Sequence, residues 1–149
     1  MKDDCPLCRQ DGGTLLWRGS RLRAVDAGDA DYPGYTRLIW NEHVAEMTDL
    51  DEPARAELMQ AVWTVERLQR EELAPDKVNL ASLGNMVPHL HWHIIPRWRG
   101  DRHFPDAIWA PARSGAEPAA REPRLAEAAA RLDRYHRRLA EALAALAAL

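Results

Sequence analysis

The sequence predicts an α+β fold: an antiparallel sheet with one long helix, followed by a C-terminal helix. Three observations predict it. Short apolar runs bounded by Gly, Pro and Asp recur through residues 14–40 and again through 78–96. One long segment after Pro53 carries apolar residues at helical spacing. Residues 89–93 read His-Leu-His-Trp-His, and a strand resolves that alternation into an apolar face and an imidazole face. A helix would scatter the three imidazoles over roughly 200° of its circumference.

In chain order, Thr14–Trp17 and Leu22–Val25 are expected as strands around a Gly19-Ser20 turn. Asp26–Gly34 is a loop punctuated by Gly28, Pro33 and Gly34. Tyr35–Trp40 is the next strand, and Asn41-Glu42-His43-Val44 leads out of it. Residues 48–53 carry N-cap chemistry with Pro53 near the first turn. The helix then runs to about Glu72, with Leu58, Ala61, Val62, Val65 and Leu68 on one face, and Pro75-Asp76 ends it. Strands are expected near 78–83 and 89–96. Residues 98–118 are rich in Trp, Arg and Pro and read as irregular. Trp98, Arg99, Arg102, His103, Phe104 and Trp109 either fold back over a site, where a base stacks on them, or pack on the domain surface; packing is the favoured reading. From about Arg121 an Ala- and Leu-rich helix of about 28 residues is expected, with Leu125, Leu132, Leu139 and Leu146 seven apart. Its core residues are too few for a coiled coil, so docking on the domain or on a second subunit is expected. The division is residues 1–110 as the functional domain and 111–149 as a Pro/Ala-rich linker and C-terminal amphipathic helix.

Length and composition bound the function. A chain of 149 residues supports one core burying about two thirds of its unfolded surface. A net charge of -3 argues against polymeric nucleic acid as a partner. No apolar run reaches membrane-spanning length and the N-terminus is polar, so neither a membrane partner nor a signal peptide is expected, and the location expected is cytoplasmic.

The chemistry concentrates at His89, His91 and His93. On one strand face, neighbours would lie about 6.5–7 Å apart. Imidazole serves near neutral pH as nucleophile, acid, base or metal ligand. The rival readings are a solvated strand face and a metal cluster without catalysis. Upstream, Val78–Pro88 reads as a strand and then a turn at Gly84, where backbone N–H groups can face a phosphate. Cys5 and Cys8 form one Cys-Pro-Leu-Cys pair. It is a redox pair, half of a zinc site, or two free thiols; no strand-helix-strand pattern surrounds it. A tetrahedral zinc site needs two more ligands, for which His43 and His89 are the candidates.

With these residues in place, the chain resembles the histidine triad (HIT) superfamily of nucleotide hydrolases and transferases. The resemblance rests on His89-x-His91-x-His93 followed by Ile94-Ile95, on Gly84 five residues before His89, on Asn79 ten before it, on Pro96-Arg97 behind it, and on His43 upstream. It covers roughly residues 5–105. It implies that His91 attacks an α-phosphorus to give a nucleotidyl-histidine, which water hydrolyses. His93 then binds a phosphate oxygen or assists the leaving group. Asn79 and the turn amides near Gly84 and Asn85 are candidates for stabilising negative charge on the bound nucleotide. Asp26 is the candidate for ribose hydroxyls, with Asp29 and Asp31 as alternates, although any one of the three also reads as a solvated loop carboxylate. The resemblance further implies one structural zinc shared by Cys5, Cys8, His43 and His89. Dinucleoside polyphosphates or nucleoside phosphoramidates are the substrate classes it points to. A homodimer is expected, both from the resemblance and from the exposed edge of a thin sheet.

Two departures bear on rate and substrate. Asn85 and Met86 stand where many members carry Gln and then Ser or Thr, and Met86 cannot donate a hydrogen bond. Trp40-Asn41-Glu42 replaces a basic run before His43. The rival function is a zinc-stabilised nucleotide-binding or interaction module with little turnover.

Overall fold

Five short strands pair into one antiparallel sheet: β1 (Thr14–Arg18), β2 (Leu22–Asp26), β3 (Thr36–Trp40), β4 (Lys77–Ala81) and β5 (His91–Arg97), in the order β1-β2-β3-β5-β4. The structure, a computed structural model, describes residues 2–149. Register decides what each face carries. Leu22 opposes Trp40, Ala24 opposes Leu38, Leu38 opposes Trp92 and Thr36 opposes Ile94, which fixes one face. Arg23 opposes Ile39, Val25 opposes Arg37, Arg37 opposes His93 and Ile39 opposes His91, which fixes the other. Because side chains alternate along a strand, a slip by one residue would exchange the faces and bury the histidines.

The first face is covered by α2 (Glu52–Leu73), whose Leu58, Ala61, Val62, Val65 and Leu68 are fully buried against Leu22, Ala24, Leu38 and Ile94. Asp51 caps it, its Oδ1 accepting from the Ala54 N–H at 2.9 Å. It ends at Ala74, which takes a left-handed φ of 49° before Pro75.

The C-terminal region forms two helices where the sequence predicts one. α3 (Pro123–Ala130) and α4 (Leu132–Ala147) meet at Arg131. Leu125 and Ala128 of α3 and Tyr135, Leu139 and Leu143 of α4 are all buried in the same core. Of the four leucines seven apart, Leu125 and Leu139 are buried, while Leu132 and Leu146 pack only in part. The tail docks on this chain: Arg134 pairs with Glu72 of α2 at 2.9 Å, Arg138 pairs with it as well, and Tyr135 shares a 2.6 Å hydrogen bond with Thr36.

The second face carries the N-terminal segment. Cys5 stands at the N-cap of a single helical turn, α1 (Pro6–Arg9), and Cys8 lies within it. Arg23, almost fully buried, ties this segment to the sheet by donating to the carbonyls of Leu7, Gln10 and Asp11 at 2.7, 3.2 and 3.0 Å. At the other end of β5, residues 98–110 strap back over Tyr32, Tyr35 and Ile95, with Ile108 packed against that cluster. The strap is anchored by a buried bidentate pair between Arg97 and Asp101, at 2.8 and 3.1 Å. Asp101 also accepts from the backbone N–H groups of Trp98, His103 and Phe104. Burial pushes the Asp101 carboxyl up, but Arg97 and those N–H groups outweigh it and hold it below the usual range.

Candidate active site

Two of the three motif histidines lie on β5. His91 and His93 point from the same face, their ring centroids 4.8 Å apart. His91 Nδ1 lies 2.5 Å from the carbonyl oxygen of His89. A carbonyl only accepts, so Nδ1 carries the proton and Nε2 keeps its lone pair. That is the form in which an imidazole is a nucleophile. His93 Nδ1 lies 2.6 Å from the Tyr35 hydroxyl. Burial, then the charges of His91 and Arg37, push the His93 ring down to about 4, so it is neutral at pH 7. Burial likewise raises Tyr35 and keeps its O–H. A hydroxyl both donates and accepts, so the Tyr35 contact holds the His93 ring in place with either ring nitrogen carrying its proton.

The third histidine departs from the predicted ridge. His89 precedes the strand, in a bend behind Pro88 where its own N–H turns back to the Val87 carbonyl at 2.8 Å. Its Nε2 lies 2.6 Å from the Trp40 carbonyl oxygen, so the proton is there and Nδ1 is free. Burial holds the ring below the ordinary histidine range, which favours the neutral ligand form. That Nδ1 meets Cys5 Sγ at 3.4 Å, Cys8 Sγ at 3.6 Å and His43 Nδ1 at 3.2 Å, and Cys8 Sγ meets His43 Nδ1 at 3.4 Å. All four ligand atoms lie within 4.8 Å of one another. Zinc bonds of about 2.0–2.3 Å in a tetrahedron put ligand atoms about 3.3–3.8 Å apart. The Cys₂His₂ cluster fits a metal ion of that kind. The signal that brings these four residues together was legible in the sequence; the turn that takes His89 off the strand was not.

A cavity of about 540 Å³ opens over His91 and His93. Arg37 is its cationic side chain, with Gly84 and Asn85 on the loop side and Leu7, Leu83, Met86, Val87 and Trp109 as apolar walls. Gly84 takes a φ of +83°, and a Cβ there would meet nothing closer than 3.7 Å. Its role is therefore conformational: it lets the loop turn toward the cavity.

Two predicted site residues lie elsewhere. Asn79 is on the histidine face of β4, opposite Ile95, but does not line the cavity; its Oδ1 accepts from Arg97 at 2.8 Å and braces the strap. Asp26 is the last residue of β2 and shares the helix face with Thr36 and Ile94. Its Oδ1 accepts from the Gly28 N–H and its Oδ2 faces His136 of α4 at 3.4 Å, on the side of the sheet away from the triad. The alternates are also engaged: Asp29 caps the Asp31 N–H, and Asp31 pairs with Arg102 at 3.0 Å. Arg37 lines the cavity without having been singled out as a site residue, and so does Trp109, for which packing is the favoured sequence reading over stacking at a site. Arg37 alternates with Ile39 along β3, but only the β3–β5 register shows that it opposes His93. Of the six side chains weighed in the strap, Trp98 is buried in the core, His103 bonds Tyr32 at 2.5 Å, and Trp109 alone lines the cavity.

The site thus sets His91 and His93 side by side with the Arg37 guanidinium at one cavity, groups able to meet an anionic ligand. The particular family follows from comparison. The family model for the HIT domain matches residues 14–100, and the chain belongs to the histidine triad family. It is similar to the AP-4-A phosphorylase of Mycobacterium tuberculosis, 29% identical over a 107-residue alignment that covers 68% of this chain and 55% of that protein. The chain thus spans about half the length of the curated relative it matches. Among solved structures it is similar to a histidine triad protein from Bradyrhizobium japonicum, 30% identical with a TM-score of 0.64, covering 82% of this chain and 92% of that one. A zinc-bound histidine triad family protein from Mycobacterium smegmatis, 21% identical, shares the fold with a TM-score of 0.62 over 93% of this chain and 97% of that one. No helix among the described residues is long and apolar enough to cross a membrane.

Proposed function

We propose that the chain is a nucleotide-phosphate hydrolase or nucleotidyl transferase that works through a covalent nucleotidyl-His91 intermediate, on dinucleoside polyphosphates or nucleoside phosphoramidates. The observation that carries this reading is the 2.5 Å contact from His91 Nδ1 to the His89 carbonyl, which leaves Nε2 as the basic nitrogen at the cavity. In the first step Nε2 forms a bond to the α-phosphorus as the bond to the leaving group breaks. In the second, water adds to phosphorus, the P–N bond breaks, and its electron pair returns to His91. Arg37 offsets the charge on the phosphoryl oxygens, and the His93 ring, in the tautomer that carries its proton on Nε2, donates to one of them or to the leaving atom. Gly84 and Asn85 line the same cavity, where their backbone N–H groups are candidates to meet the phosphate. Cys5, Cys8, His43 and His89 would hold a structural zinc, which contributes folding energy and fixes the His89 backbone.

Met86 supports the second reading, a nucleotide-binding module with little turnover. It is 95% exposed at the cavity rim and offers no donor to a leaving group. One experiment separates the two. Wild type and His91→Ala are assayed against a panel of diadenosine tetraphosphate and adenosine phosphoramidates. Turnover by wild type that falls on the order of 10³-fold or more in the variant supports the enzyme reading. Nucleotide binding without turnover in wild type supports the module, and turnover retained by His91→Ala contradicts the covalent route.

A further inference from the structure

The strap holds an indole where packing alone gives no reason for one. Trp109 stands edge-on to His93, with centroids 5.2 Å apart and planes at 75°, yet it is 52% exposed. A tryptophan recruited for the core would be covered, as Trp98 is eleven residues earlier in the same strap. The segment that presents Trp109 is also heavily fastened. Arg97 donates to Asp101 and to the Asp106 carbonyl at 2.8 Å, Arg113 donates to the Asp101 carbonyl at 2.7 Å, and the Ala110 N–H closes a turn onto Ala107 at 3.0 Å. A fixed scaffold that carries a half-exposed aromatic at a cavity wall has the character of a recognition element.

The remaining walls agree. Leu83 is 54% exposed and Met86 95%, and together with Trp109 they make three of the seven large hydrophobic side chains exposed among the described residues. All three line the same cavity, and Leu7 and Val87 extend the apolar lining. Arg37 and the two histidines supply its polar part. The volume, about 540 Å³, lies within the range of small-molecule sites. Such a lining matches a ligand with a phosphate at one end and a flat apolar ring beside it.

Resting on the nucleotide reading above, we infer that Trp109 is a specificity-determining residue that stacks a planar aromatic ring of the substrate next to the phosphorus held at His91 and Arg37. The ring comes from one of two sources, the nucleobase or an aromatic leaving group. No group of the Trp109 indole takes part in bond making; its contribution is affinity for the ring, shared between ground and transition states, so it acts on KM rather than kcat.

The test uses the full chain as wild type, Trp109→Phe and Trp109→Ala. Adenosine monophosphate, which has the base and no leaving group, is titrated by calorimetry. Two adenosine phosphoramidates, one with an aryl amine and one with a short alkyl amine leaving group, are assayed for turnover. If the nucleobase stacks, Trp109→Ala weakens adenosine monophosphate binding about tenfold and raises both KM values alike with kcat little changed, while Trp109→Phe stays within about threefold of wild type. If the leaving group stacks, monophosphate binding is unchanged and only the aryl substrate's KM rises, by a similar factor. Wild-type binding and KM values that ignore Trp109→Ala overturn the inference and leave the nucleotide reading standing. So does a loss confined to kcat, which would place Trp109 behind His93 as a packing partner. Absence of both monophosphate binding and turnover in wild type defeats the nucleotide reading and this inference with it.

Discussion

His89 and His91 are two residues apart, yet they expose opposite nitrogens. His89 gives its Nε2–H to the Trp40 carbonyl and turns Nδ1 to two cysteines and His43. His91 gives its Nδ1–H to the His89 carbonyl and keeps Nε2 for the cavity. The ring is the same; a backbone acceptor selects the nitrogen. The two assignments are also linked, because the carbonyl that orients His91 belongs to the residue that sits in the Cys₂His₂ cluster. The Cys₂His₂ cluster and the proposed nucleophile are thus set apart by one intervening residue, Leu90, and joined by one hydrogen bond.

The largest effect that would break this division comes from His89→Ala. It removes one of four converging ligand atoms, so zinc affinity should fall by more than the roughly 100-fold that loss of an outer partner costs. Thermal stability should fall with it. His91→Ala, by contrast, should keep wild-type metal content and melting temperature. Metal analysis and a thermal melt on both variants check this; equal metal loss in the two would mean that the ridge is a single metal cluster and that the division is wrong.

A smaller effect sharpens the comparison at the third ring. His93 is depressed to about 4 from an ordinary 6.5. Between these values the unfolded chain binds the proton and the folded chain does not, so stability rises with pH across the window. It is fully present above about 6.5 and is lost as pH falls toward 4, by up to about 1.4 kcal/mol per pH unit for one group. Chemical denaturation of wild type and His93→Gln at several pH values isolates this contribution, because His89 and the cluster are common to both. The variant should show the shallower slope; identical slopes would mean that His93 titrates normally in the fold.

Much of this site was legible before the structure. The alternation at 89–93 located β5 and set His91 and His93 on one face, and the CxxC with two histidines pointed to the cluster. Other features depend on where strands meet. Asp26 looked like a loop carboxylate near the site, but as the last residue of β2 its parity sends it to the helix face, where His136 meets it. Nothing in the spacing of residues 22–40 fixes that parity relative to β5. Arg37 reaches the cavity for the same reason, through the β3–β5 register. Asn79 has the right face and the wrong position, two residues along β4 from Ala81, which is the residue that opposes His93. Trp109 is one of six strap residues weighed in the sequence, and only tertiary packing selects it as the one at the cavity.

In the proposed reaction the His89 carbonyl, by accepting from His91 Nδ1, makes Nε2 the nucleophilic atom. Trapping the intermediate with an adenylylated substrate and locating the phosphorus by heteronuclear NMR, with tandem mass spectrometry to identify the residue, tests it directly. The account predicts a single adduct on His91 with phosphorus at Nε2 and the proton retained at Nδ1. Phosphorus at Nδ1, or an adduct on His89 or His93, would contradict it.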